Sequence, residues 1–189
     1  MNYSITTETP SESNFKIFGA GVHANVTLQS VEFKTIHAKV NEGNPTLAFN
    51  FVGPKGEKFT HLEYPADGAT NPEQAATYLT SRVKHILSRF MPAEEVVFSG
   101  STYAEFSNGI VALLGEKNKG VKVAIKLTYG TKKWPGKKLA FPKFPDFIAN
   151  SPSDLHINAD DNMALISVAQ ATPVDELDEV STITDDLPF

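Results

Sequence analysis

The pattern that most constrains this chain lies near its start, and it changes phase partway. Between residues 15 and 35, Val22, Ala24, Val26 and Leu28 alternate with His23, Asn25 and Thr27, and the apolar positions then move to Val31 and Phe33. Side chains point to alternate faces along a strand, so the two-residue period predicts one long strand and the change of phase predicts a bulge or bend within it. Gly19 and Gly21 stand at its start, where a backbone kink is easy. A long, bent first strand suits a small closed barrel, in which it contributes to both sides.

The rest of the chain extends this reading. Leu47, Phe49 and Phe51 share one face of a strand over 46–53, Pro54-Lys55-Gly56 turns, and residues 58–64 return as its hairpin partner. Residues 71–90 predict a helix. Asn71 is its N-cap, Pro72 its first residue, and Tyr78, Leu79, Val83, Ile86, Leu87 and Phe90 its apolar stripe. Arg82, Lys84, His85 and Arg89 favour its C-terminal end, and Pro92 stops it. A second helix spans 102–116, with Thr102 and Glu105 at capping-box spacing and Phe106, Ile110, Leu113 and Leu114 inward.

Residues 121–129 read as a half-buried strand, with Val121, Val123, Ile125, Leu127 and Tyr129 on one face and Lys122, Ala124, Lys126 and Thr128 on the other. Residues 130–138 form a basic turn, and Leu139-Ala140-Phe141 begins the next strand. Leu155-His156-Ile157 and residues 164–168 read as short strands about a turn at Asp160-Asp161-Asn162. The fold class expected is mainly β (α+β by content): a five-stranded OB-fold barrel with two helices between the third and fourth strands. Such a barrel binds oligonucleotides across its second and third strands and through its first-second and fourth-fifth loops. The expected organisation is a flexible segment over 1–14, one domain over 15–172, and a disordered acidic tail over 173–189. With 189 residues and 41% apolar composition, one domain with a real core is affordable and two would be cramped.

Charge is segregated along the chain. The net value is -5, yet no Lys or Arg follows Lys143, and nine acidic residues lie between Asp154 and Phe189. The body is therefore basic and the end acidic, a pattern that suits nucleic-acid contact by the one and an interaction role for the other. The absence of cysteine excludes disulfides and thiol chemistry. The N-terminal residues lack the basic start and apolar run of a signal peptide, and no stretch reaches the roughly 18 apolar residues of a membrane helix. A soluble, cytoplasmic protein is expected, in the host cytoplasm if viral.

Residues 117–145 hold nine lysines and no acidic residue, interleaved with Tyr129, Trp134, Phe141 and Phe144. Lysines neutralise phosphates, and aromatic faces stack on unpaired bases for about 1–3 kcal/mol each. Only single strands offer both charges and exposed base faces. The alternative is a solvated lysine face over core aromatics; alternation with apolar neighbours favours the core for Tyr129 and Phe141. Trp134, between Lys133 and Pro135 in a turn, is expected to be exposed. The candidate DNA-binding set is Lys122, Lys126, Tyr129, Lys132, Lys133, Trp134, Lys137, Lys138, Phe141 and Lys143.

No Gly-rich phosphate loop or nucleophile elbow is present, and the five histidines lack ligand spacing. No metal, no cofactor and no enzymatic activity are expected.

The acidic end closes on Asp185-Asp186-Leu187-Pro188-Phe189. A tail with no fold of its own has no internal use for two large apolar residues at its tip. A partner pocket explains them: Phe189 fills an apolar slot, its α-carboxylate meets a cation, and Pro188 lowers the ordering cost.

This ending resembles the terminal Asp-Asp-Ile-Pro-Phe of bacterial single-stranded DNA-binding proteins, and several phage proteins of that class also end in acidic residues and Phe. Residues 18–28, Phe-Gly-Ala-Gly-Val-His-Ala-Asn-Val-Thr-Leu, are similar to the opening strand of the phage type. The resemblance implies an OB-fold, sequence-independent binding of single strands, and a tail that recruits replication, recombination or repair proteins. A homodimer is compatible with it. The competing reading is a protein-interaction adaptor or virion-associated module without nucleic-acid binding.

Overall fold

In a computed structural model of the chain, residues 16–35, 43–97, 99–114 and 120–164 are described. The segments over 1–14 and 173–189, all but the first residue of the strand expected over 164–168, Lys117 and Lys119 lie outside the described residues.

Strand β1 (Gly21–Thr35) is the organising element. Its C-terminal part pairs antiparallel with β2 (Pro45–Val52), and its N-terminal part pairs antiparallel with β4 (Lys122–Gly130). The register to β2 shifts between Leu28 and Ser30, where the apolar phase of the sequence changes. A second shift, against β4, lies between His23 and Val26. There Asn25 adopts φ 56°, a left-handed conformation that Asn tolerates better than most residues.

β2 continues into β3 (Lys58–Glu63) through a tight turn at Gly56, φ 82°. Beyond β4 the chain returns as β5 (Pro135–Ala140), and the short β6 (Ile148–Ala149) pairs with Ala124 and Ile125 of β4. The result is a six-stranded antiparallel sheet ordered β3-β2-β1-β4-β5, with β6 also on β4. β3 and β5 stand at the ends of that order, yet the ring of Phe59 in β3 lies 5.0 Å from that of Phe141, just past β5.

Two helices follow β3. α1 (Pro72–Leu87) starts where Asn71 Oδ1 accepts the Gln74 N–H at 3.2 Å, with Pro72 in the first turn. It buries Leu79, Val83, Ile86 and Leu87 against the sheet. Tyr78 departs from the expected stripe and is 41% exposed, while Arg82 points inward. The charge of Arg82 is met by Glu63: Nε donates to Oε1 at 2.9 Å, and His61 Nε2 lies 2.7 Å from the same oxygen. The Arg82 guanidinium also rests over the Phe147 ring, 4.9 Å from its centroid.

α2 (Tyr103–Leu114) begins with Thr102 Oγ1 accepting the Glu105 N–H, while the Glu105 carboxylate accepts the Ser101 N–H. The Tyr103 hydroxyl donates to the Glu63 carbonyl and accepts the Leu47 N–H at 2.9 Å, tying α2 to the ends of β2 and β3. No helix among the described residues is long and apolar enough to cross a membrane.

β4 differs from its expected form. Val123 through Thr128 are buried on both faces, not one. One face meets the main core, with Phe49, Phe51, Ile86 and Phe147. Over the other lie Ala149 and Leu155, which cluster with Ala124 and Val22. The strand expected at 155–157 is absent; that segment is irregular after a 3-10 turn (Pro152–Asp154) and closes the back of β4 instead.

Candidate nucleic-acid interface

The β4–β5 connection is shorter than the sequence predicts. Strand β5 begins at Pro135, so the turn is confined to residues 131–134. Proline is tolerated as the first residue of an edge strand, where its missing N–H costs no ladder bond. The Thr131 N–H donates to Trp134 O (3.2 Å), and the Trp134 N–H donates to Thr131 O (3.1 Å) and Oγ1 (3.0 Å). Gly130 precedes the turn at φ 76°, and a Cβ there would stand 2.4 Å from Trp134 O. Only glycine fits. Lys132 and Lys133 are exposed on this turn, and Trp134 is 64% exposed with Lys133 Nζ 5.6 Å from its ring centre.

The β4–β5 register is irregular. Thr128 pairs with Ala140 and Gly130 with Pro135, so residues 136–139 lie opposite Tyr129 alone. The extra residues bulge outward and carry Lys137 and Lys138 into solvent.

Between this bulge and β3 runs an open cleft of about 390 Å³. Lys58, Phe59 and Thr60 line it from β3, Lys137 and Lys138 from β5, and Tyr129 from β4. Ile17, 75% exposed, stands at its rim, on a segment bridged in parallel to Lys58. The cleft therefore combines cations with aromatic residues. A larger hollow on the β1–β3 face, about 540 Å³, has a different character. There Ser30, Glu32, Asn50 and Thr60 form a hydrogen-bonded polar ladder. Bonds from Lys34 and Ser30 hold the Glu32 carboxyl below its ordinary value. Lys34, paired with Glu32 at 2.6 Å, and Lys58 also line this hollow, whereas the β3–β5 cleft has lysines and no carboxylate in its lining.

The expected residues divide into groups. Lys132, Lys133 and Trp134 are brought together on the turn, and Tyr129, Lys137 and Lys138 in the cleft beside it. Lys122 and Lys143 are exposed at the start of β4 and beyond β5, outside the cleft lining.

Two residues are corrected. Lys126 is fully buried: its Nζ donates to Asp161 Oδ2 (3.1 Å) and to the His156 carbonyl (2.7 Å). The backing segment turned the polar face of β4 into a second interior, and Lys126 went inside with it. Phe141 is 7% exposed and packs against Phe51, Phe59, His61 and Phe147, so its faces are occupied. Asp185, Asp186, Leu187, Pro188 and Phe189 lie outside the described residues.

Sequence reasoning missed Lys58, Phe59, Thr60 and Ile17 as part of the cleft that Tyr129, Lys137 and Lys138 line. The signal was present in the expectation that the third strand takes part in binding, together with the Lys-Phe-Thr alternation on that strand. Among the described residues no group of His, Asp and Glu is arranged to hold a metal ion. No protein-family model and no curated protein sequence matches the chain.

Proposed function

We propose that this protein binds single-stranded DNA without sequence preference, through the 131–134 turn and the β3–β5 cleft. The observation that carries the reading is Trp134: a large ring held 64% exposed on a tight turn, with Lys132 and Lys133 beside it. An exposed tryptophan on a braced turn is a stacking platform for an unpaired base, and the adjacent lysines neutralise phosphates. Tyr129, Lys58, Lys137 and Lys138 continue the same chemistry into the cleft.

The strand order supports an OB-type barrel as the scaffold. β1 pairs with both β2 and β4, and β3 and β5 are left to face each other across the cleft. Binding next to the fourth-fifth loop and the third strand is then the expected use of the fold. Asp185 to Phe189 act, in this reading, as a docking peptide for replication, recombination or repair proteins, on the strength of the sequence alone.

The test is a titration of the protein with oligo-dT, read by Trp134 fluorescence and by anisotropy of a labelled strand, across a salt series. Quenching is expected, with affinity falling as salt rises and a duplex of equal length binding more weakly. If oligo-dT produced no quenching and no anisotropy change at low salt, the proposal would be wrong.

A further inference from the structure

The buried Lys126 has no role in contacting DNA, yet an ammonium group is a costly choice for a strand interior. Its partners show what it holds. Asp161 Oδ2 accepts from Lys126 Nζ at 3.1 Å and from the Asn158 N–H at 2.8 Å, and the His156 carbonyl accepts from Lys126 Nζ at 2.7 Å. One ammonium thus fixes both ends of an irregular stretch, residues 156–161, against the back of β4.

That stretch in turn holds the base of the exposed turn. The Lys132 N–H donates to Asp160 O (2.8 Å), and the Tyr129 N–H donates to Asn162 O (2.8 Å). The Asn162 N–H donates to Gly130 O (3.0 Å), Asn162 Nδ2 donates to Tyr129 O (3.2 Å), and Asp161 forms a bridge with Thr131. The backbone on either side of Gly130 is therefore held from outside its own hairpin, by residues that Lys126 holds.

We infer that Lys126 and Asp161 are positioning residues for the Lys132-Lys133-Trp134 turn: a buried ion pair that braces the turn from behind without touching its ligand. The inference rests on the proposed single-strand binding. An apolar pair of similar size would fill the same volume, and such replacements are often neutral or stabilising. What an apolar pair lacks is a directional hold on the His156 carbonyl and the 158–161 turn.

The test is the double variant K126M/D161N in the full chain. Met follows the path of the lysine stem, and Asn retains an acceptor for the Asn158 N–H. In the DNA-free protein, time-resolved anisotropy of Trp134 and hydrogen exchange at the Lys132 and Tyr129 amides read the brace directly. Faster ring motion and faster exchange at those amides than in the parent are expected, with the circular dichroism spectrum retained. In the oligo-dT titration the variant is expected to bind about tenfold more weakly, since two or three side chains must then be ordered on association.

Parent-like Trp134 motion and amide exchange would overturn the inference, whatever the melting temperature. So would parent-like affinity alongside a loosened turn. If the parent itself fails to bind oligo-dT, the proposed function falls, and the DNA-free measurements still decide whether the pair braces the turn. Should the double variant not fold, K126M alone is measured in the same way against the same outcomes, since it removes the buried ammonium and leaves Asp161 its Asn158 N–H.

Discussion

Removing three lysines from the cleft should change how binding responds to salt, by an amount that can be worked out beforehand. Lys58, Lys137 and Lys138 line the cleft, and Lys132 and Lys133 stand on the adjoining turn. If each neutralises one phosphate, log K falls with log salt at a slope of about -0.7 per contact, hence about -3.5 for the set. The triple variant K58Q/K137Q/K138Q should then show a slope of about -1.4. Between about 50 and 200 mM salt, the parent should lose about a hundredfold in affinity and the variant about sevenfold. All three side chains are exposed, so glutamine should leave the melting temperature close to that of the parent. Lys84, exposed on α1 and outside the cleft lining, supplies the control, since K84Q removes a charge of the same sign. Oligo-dT titrations at four or five salt concentrations give the slopes. A triple variant with the parent slope, or a K84Q slope that flattens as much per charge, would refute the placement of the phosphates in the cleft.

Three further outcomes are expected. W134A should weaken oligo-dT binding by about 1–3 kcal/mol and abolish intrinsic fluorescence quenching, because it removes the chain's single tryptophan and with it a stacked base; a labelled strand measures the affinity. Y103F should lower stability by about 1–3 kcal/mol in urea melts, since it leaves the buried Leu47 N–H without its acceptor, and should leave DNA affinity unchanged. Burial works to raise the Glu63 pKa, but the nearby His61 and Arg82 outweigh it and hold the carboxyl below its ordinary value. A lowered folded-state value contributes stability that is complete above the unfolded pKa of about 4.3 and is lost as pH falls through the folded one. The stability gap between the parent and E63Q should therefore narrow as pH falls below about 4; a gap that does not change between about pH 4 and pH 2 would count against the buried ion pair.

The legible parts of this fold are those whose residues repeat with a two- or four-residue rhythm. The alternation over 22–28 and its change of phase gave β1 with its bulge, because only one register buries Val26 and Leu28. Asn71, Pro72 and the apolar stripe marked α1. The fate of Lys126 was not legible. Its alternation with apolar neighbours is that of a solvent-facing residue, and the segment that covers it, residues 155–161, reads as a short strand and a turn with nothing local to show which strand it would cover. Arg82 misled for a related reason: its partner Glu63 is distant in sequence and lies on another element. Pro135-Gly136 reads as turn chemistry, yet the ladder begins there, since proline can open an edge strand. Trp134 was legible as exposed, because it lacks apolar neighbours to hide with.

Gly130 sets a limit on how this surface can diverge. Its backbone angle and the 2.4 Å approach of a would-be Cβ to Trp134 O leave no room for a side chain. Lys132, Lys133 and Trp134 face solvent, so substitution there alters what the turn carries and leaves its direction alone. Substitution at 130 does the opposite: it re-aims all three side chains at once. Side chains at 132–134 can therefore change one at a time on this hairpin, while position 130 admits change only together with a rebuilt turn.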